Sequence, residues 1–164
     1  GARETCLDKD ITRKSLELQS IDYSEKINGI SISTFGSVGK INVNGIGING
    51  IGCHYQKFNG ILFNGTICDM RIHNGLLVSG MFNSVDSQRG VSLCAFYNRI
   101  NNGKGLSICA IKNKARYYDG IQISFFNETK SGRLIQFGLL NYIGDNPKLL
   151  RYLPFVNMRF KKNL

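Results

Sequence analysis

Gly45, Gly60, Gly75, Gly90, Gly105 and Gly120 stand 15 residues apart, with Gly29 one residue further back at the start. After each comes the same phrase: Gly29-Ile-Ser-Ile-Ser, Gly45-Ile-Gly-Ile-Asn, Gly60-Ile-Leu-Phe-Asn, Gly75-Leu-Leu-Val-Ser, Gly90-Val-Ser-Leu-Cys, Gly105-Leu-Ser-Ile-Cys and Gly120-Ile-Gln-Ile-Ser. An eighth copy, Leu134-Ile-Gln-Phe-Gly, lacks the glycine. A fixed period of this kind marks a repeat architecture, in which each unit buries its surface only against its neighbours.

With the glycine as position 1, positions 2 and 4 are apolar in every copy. That is the period-2 signature of a strand with one buried face, and it predicts that positions 2 and 4 point into the core. On that reading Ile108→Asp, at position 4 of a central repeat, unfolds the array. Position 6 is small in most copies (Gly50, Gly65, Gly80, Ala95, Ala110) and position 7 is usually large and apolar (Ile51, Met81, Phe96, Ile111, Phe126), which places a corner there. Position 9 runs Cys53, Cys68, Asn83, Asn98, Asn113, and position 11 runs Tyr55, Met70, Val85, Ile100, Ala115.

Such columns make physical sense if equivalent residues stack about 4.8 Å apart, as in a coil of parallel strands, where asparagines can form hydrogen-bonded ladders. The sequence therefore predicts an all-β fold, a parallel β-solenoid of about eight 15-residue rungs, each with three short sides. An up-and-down β-meander or barrel is the alternative, but its neighbouring strands run in opposite directions and equal positions do not stack. The expected organisation is an N-terminal cap or extension over 1–27, the array over 28–143 and a C-terminal cap over 144–164. Solenoid ends expose core and strand edges and need such caps. Residues 15–23 read as either a short helix or extended chain, Asp145-Asn-Pro-Lys148 as a turn, and Leu149 to Phe160 as the segment closing the core. The 19 glycines against 2 prolines and no tryptophan fit many tight turns. No run approaches the roughly 20 apolar residues of a membrane helix, so no transmembrane segment is expected.

Several chemistries are disfavoured. Cys53, Cys68, His54 and Asp69 form an admissible zinc set, but adjacent strand positions point to opposite faces, which favours a buried thiol pair beside an exposed polar pair. The same geometry argues against a cysteine nucleophile with His54 as base. The five cysteines are odd in number. Stacking makes disulfides within Cys53/Cys68 or Cys94/Cys109 geometrically feasible, with free buried thiols as the default and Cys6 left over. Asp69, Asp86, Asp119, Glu128 and Asp145 never share a column in adjacent rungs, which disfavours a paired-carboxylate glycosidase or lyase. Thr34, Thr66 and Thr129 are too few for an ice-binding array, and no Gly-Lys-Ser/Thr element follows the glycines to make a phosphate loop. No catalytic residues, metal or cofactor are assigned, and the chain is read as non-enzymatic.

The net charge is +10, and beyond residue 27 sixteen bases face five acids. Arg99 and Lys114 share position 10, Arg89 and Lys104 share position 15, and Lys112, Arg116, Lys130 and Arg133 lie in the same or the next rung. These eight are the candidate anion-binding residues, because stacked like charges repel unless solvent or an anion separates them. A merely solvated basic face is the competing reading. Tyr97, Tyr117 and Tyr118 are available for base stacking, so nucleic acid is a possible partner, though not the favoured one.

The repeats Gly120-Ile-Gln-Ile-Ser-Phe-Phe-Asn127 and Leu134-Ile-Gln-Phe-Gly-Leu-Leu-Asn141, with the ending Leu150-Arg-Tyr-Leu-Pro-Phe-Val-Asn-Met-Arg-Phe160, resemble an uncharacterised family of bacterial surface-repeat proteins. The resemblance spans Gly29 to Phe160; the departure is Ser, Asn or Cys where the family phrase often has Gly at position 5. It implies an exported protein of the bacterial envelope or surface and transfers no catalytic residue. Two functions are then expected: a rigid scaffold for another envelope protein or the membrane surface, or an anion-binding module for nucleic acid or acidic glycan.

Overall fold

A computed structural model describes residues 25–34 and 41–160. The chain is a parallel β-solenoid of about seven turns. Its strands are β1 (Glu25–Ser33), β2 (Ile41–Asn49), β3 (Cys53–Asn64), β4 (Ile67–Ser79), β5 (Phe82–Cys94), β6 (Tyr97–Cys109), β7 (Lys112–Ile123), β8 (Phe126–Ile143) and β9 (Tyr152–Arg159). Each of β1 to β7 pairs in parallel with the next, and the repeat glycines stack: Gly45 on Gly60, Gly60 on Gly75, and so on to Gly120. A short 3-10 turn over Lys148–Leu150 leads into β9, which pairs antiparallel with β8. The expected C-terminal turn and closing segment thus take the form of a hairpin on the last rung. The expected N-terminal cap, apart from its last residues in β1, and Cys6 lie outside the described residues.

The glycine column is required twice over. Gly90, for example, has φ +119°, and a Cβ there would lie 2.2 Å from the Gly75 carbonyl oxygen of the rung below. Where Leu134 replaces the glycine, the left-handed residue moves to Gly132, at φ +137° against the Tyr118 carbonyl. Two further corners follow from side-chain direction. Positions 6, 7 and 8 face outward in succession, as do positions 12 and 13; Arg71-Ile72 is an example of the latter. The coil therefore has three short sides.

Within those sides the expected facing of the first run is reversed. Positions 2 and 4 point outward, with Ile48 46% and Phe63 45% exposed, while positions 3 and 5 point inward, as at Leu62, Leu77, Asn64 and Ser79. The same holds for Ile108, which is half-buried on the outer side rather than core. The physical reason lies at the corner after position 5. Short polar side chains at position 5 hydrogen-bond to corner carbonyls: Ser79 Oγ donates to the Thr66 carbonyl (3.2 Å) and Ser124 Oγ to that of Phe126 (2.6 Å). Ser and Cys take this role, Cys94 Sγ donating to the Met81 carbonyl (3.0 Å), and the Ile and Phe of positions 2 and 4 stay outside.

The interior is consequently mixed. Position 11 forms the expected apolar column, and Val43, Phe58, Leu62 and Leu77 add to it in the N-terminal half. The C-terminal half is threaded by amides. Asn98 Nδ2 donates to Ser92 Oγ and Ser107 Oγ (2.9 and 2.8 Å), Ser107 Oγ donates to Asn113 Oδ1 (2.9 Å), and the chain continues from Asn113 to Asn127 to Asn141 (3.2 and 2.8 Å). The position-9 asparagines from Asn98 onward thus form the expected ladder, inside the coil, whereas the buried Asn83 side chain makes no hydrogen bond among the described residues. A second, exposed ladder joins Asn28, Asn44, Asn59 and Asn74 at the position before each glycine.

Candidate functional site

The outer surface of each rung divides into two sectors. Positions 2, 4, 7 and 8 carry large apolar side chains, and positions 10, 12 and 15 are mostly polar or charged. Exposed apolar residues recur rung after rung: Ile46 and Ile48, Ile61 and Phe63, Ile121 and Ile123 on the first side, then Ile51, Ile67, Met81, Phe82, Phe96, Ile111, Phe125 and Phe126 around the next corner. Phe82 and Phe96, on adjacent rungs, lie 6.5 Å apart between ring centroids. Soluble monomers rarely expose contiguous apolar area on this scale, and larger patches mark interaction sites. The apolar signal was plain in the sequence; its outward direction was missed.

The structure sorts the eight basic candidates into separate places. Arg99, Lys114, Arg116 and Lys130, with Ile100, Asn101 and Ala115, line one open cleft of about 260 Å³ on the polar sector. Lys112 and Lys114 instead clasp Glu128 (2.9 and 3.2 Å), and Arg133 is bonded to Asp119 (2.6 Å). Burial raises the Glu128 carboxyl pKa, but the hydrogen bonds and charges of the two lysines outweigh that and hold it below its ordinary value. Arg89 and Lys104 stack at position 15, outside the cleft. Among the described residues, Arg99, Arg116 and Lys130 have no carboxylate partner. Of the tyrosines considered for base stacking, Tyr118 is fully buried and unavailable.

The cysteines are also resolved by the register. Cys53 and Cys68 are Cα partners on adjacent rungs and are joined by a disulfide, which corrects the expectation of free thiols at this pair. Their neighbours His54 and Asp69 point outward and pair at 3.2 Å, the buried-pair and exposed-pair arrangement expected from strand alternation. No cluster of three or more metal-ligating side chains occurs among the described residues. Cys94 and Cys109 are free and buried.

No family model, curated protein or solved structure matches this chain. Among the described residues no helix is long and apolar enough to cross a membrane.

Proposed function

We propose that this protein is a non-enzymatic scaffold of the bacterial envelope whose rod lies on a lipid surface, apolar sector down. The observation that carries the reading is the repeated outward apolar row at positions 2, 4, 7 and 8, beside a polar sector in which bases outnumber acids. Three considerations favour lipid over a protein partner. The rows repeat with little relief from rung to rung, which suits a fluid phase better than a shaped interface. The side chains lie along one flank, the arrangement of an interfacial element rather than a spanning one. The excess positive charge complements anionic head groups, each nearby base contributing about 1 kcal/mol.

The test is flotation with vesicles of phosphatidylcholine alone and of phosphatidylcholine mixed with phosphatidylglycerol. The protein is expected to float with both, and more strongly with the anionic mixture at low salt. Phe63→Ser, Phe96→Ser and Phe125→Ser together should abolish flotation while leaving the β-sheet circular dichroism unchanged. A monomer that floats with neither vesicle overturns the reading; a concentration-dependent dimer that ends on the same triple substitution assigns the sector to a second copy instead.

A further inference from the structure

The cleft on the polar sector is the second surface that the chain leaves chemically incomplete. Arg99 on β6 and Lys114 on β7 are Cα partners at position 10. Arg116 on β7 and Lys130 on β8 stand at the position-12 corner, and all four line the same open space of about 260 Å³. The acids around it are already engaged. Glu128 on β8 is held by Lys112 and Lys114, and Asp86 on β5 accepts from Asn101 Nδ2 at 2.7 Å. Three cations therefore face the cleft without a carboxylate, on rungs whose spacing is about 4.8 Å.

We infer that this cleft is a phosphomonoester-binding site, with Arg99, Arg116 and Lys130 as its ligands. Guanidinium forks match pairs of phosphate oxygens, and a lysine adds a compact point charge. A terminal phosphate offers three oxygens and nearly two charges near neutral pH, against one charge for a diester. Three unpaired cations facing one space match the former. The ligand is either a lipid head group bearing a terminal phosphate or a soluble phosphomonoester. The first source rests on the lipid-surface reading; the second does not.

Two triple variants separate the cleft from general positive charge: Arg99→Ser with Arg116→Ser and Lys130→Ser, and, as a charge-matched control, Lys57→Ser with Arg71→Ser and Arg89→Ser. Both are measured against phosphatidylcholine vesicles containing phosphatidic acid and, separately, against glycerol 3-phosphate by titration calorimetry. The cleft variant is expected to lose at least about ten-fold in affinity for phosphatidic acid vesicles, and the control less than about three-fold. Wild-type affinity should rise from pH 5 to pH 7.5 as the phosphomonoester takes its second charge, with a pKa near 6. The three bases remain charged throughout, and phosphatidylglycerol vesicles should show no such rise.

If no vesicle binds but glycerol 3-phosphate binds to wild type and not to the cleft variant, the site stands with a soluble ligand and the lipid-surface reading falls. Equal losses in both variants overturn the site, as does the absence of phosphomonoester binding in both arms. Lipid docking by the apolar sector would survive equal losses in the two variants, but not a failure to bind any vesicle.

Discussion

Cys94 and Cys109 are Cα partners on adjacent rungs, both buried in the inward column at position 5, with Cys94 Sγ donating to the Met81 and Tyr97 carbonyls (3.0 and 3.2 Å). The interaction with Cys94 lowers the pKa of the Cys109 thiol, while the same interaction and burial raise that of Cys94. The pair repeats the relation that Cys53 and Cys68 already hold as a disulfide, with Cα atoms 4.7 Å apart. Oxidised glutathione should join Cys94 to Cys109 by attack of the Cys109 thiolate, exchange with Cys94 and release of reduced glutathione in two steps. Peptide mapping should find this cross-link, and a 15-residue loop closed in this way adds about 3 kcal/mol to stability on the chain-entropy account. Recovery of only mixed glutathione adducts would show that the two sulfurs do not meet.

Gly90→Ala should destabilise the coil by at least about 2 kcal/mol, because it combines left-handed backbone with a collision against the next rung. The distance to the Gly75 carbonyl oxygen, 2.2 Å, leaves no rotamer to relieve it. Chemical denaturation of the variant measures this directly. A loss below about 0.5 kcal/mol, the range of ordinary surface substitutions, would mean that the corner does not stack as described.

Facing is tested by a pair of charges. Leu77→Asp places a carboxylate in the fully buried inward column and should prevent folding, whereas Ile108→Asp, on the outer side, should cost about 1 kcal/mol. This inverts the outcome expected for Ile108 from alternation alone. Size-exclusion chromatography and thermal melts of the two variants decide it.

His73 is fully buried, its ring stacked 6.2 Å from that of Phe58. Burial lowers its pKa to about 4, partly offset by a backbone hydrogen bond at Leu76. The unfolded chain therefore binds the proton first as pH falls. Stability should be full above about pH 6.5 and decline towards pH 4, by about 3 kcal/mol in all. His73→Phe should flatten that slope in denaturation curves taken at several pH values, and an unchanged slope would assign the acid sensitivity to other groups.

Much of the fold was legible because a constant period constrains a chain more tightly than local propensity does. The six glycine spacings, the parallel register and the ladder from Asn98 to Asn113 all follow from stacking identical rungs. Direction was not legible. Alternation divides residues into two sets without saying which set is inside, and the usual assumption that apolar residues face inward failed at Ile48, Phe63 and Ile108. The signal that would have corrected it was present at position 5, where Asn49, Asn64, Ser79 and Ser124 are short hydrogen-bonding side chains beside a corner. The cleft was half legible: Arg99 and Lys114 share a column in the sequence, but grouping them with Arg116 and Lys130, apart from Arg133, needed the corner at position 12.

Rung length varies in two places. The register between β1 and β2 is offset by 16 residues and that between β7 and β8 by 14, against 15 elsewhere. At the short rung the chain still closes, with Phe125 N donating to the Ala110 carbonyl at 3.1 Å and Phe126 N to that of Ile111 at 2.9 Å. The short rung loses its residue after position 5, between the first side and the second. That corner is where the coil absorbs a change of length without disturbing the stacks on either side. It is the natural splice point for grafted peptides or whole inserted domains, which would project from one flank of the rod at intervals of about 4.8 Å. Lineages that lengthen such a rod are correspondingly confined to two routes, copying complete rungs or elaborating this corner.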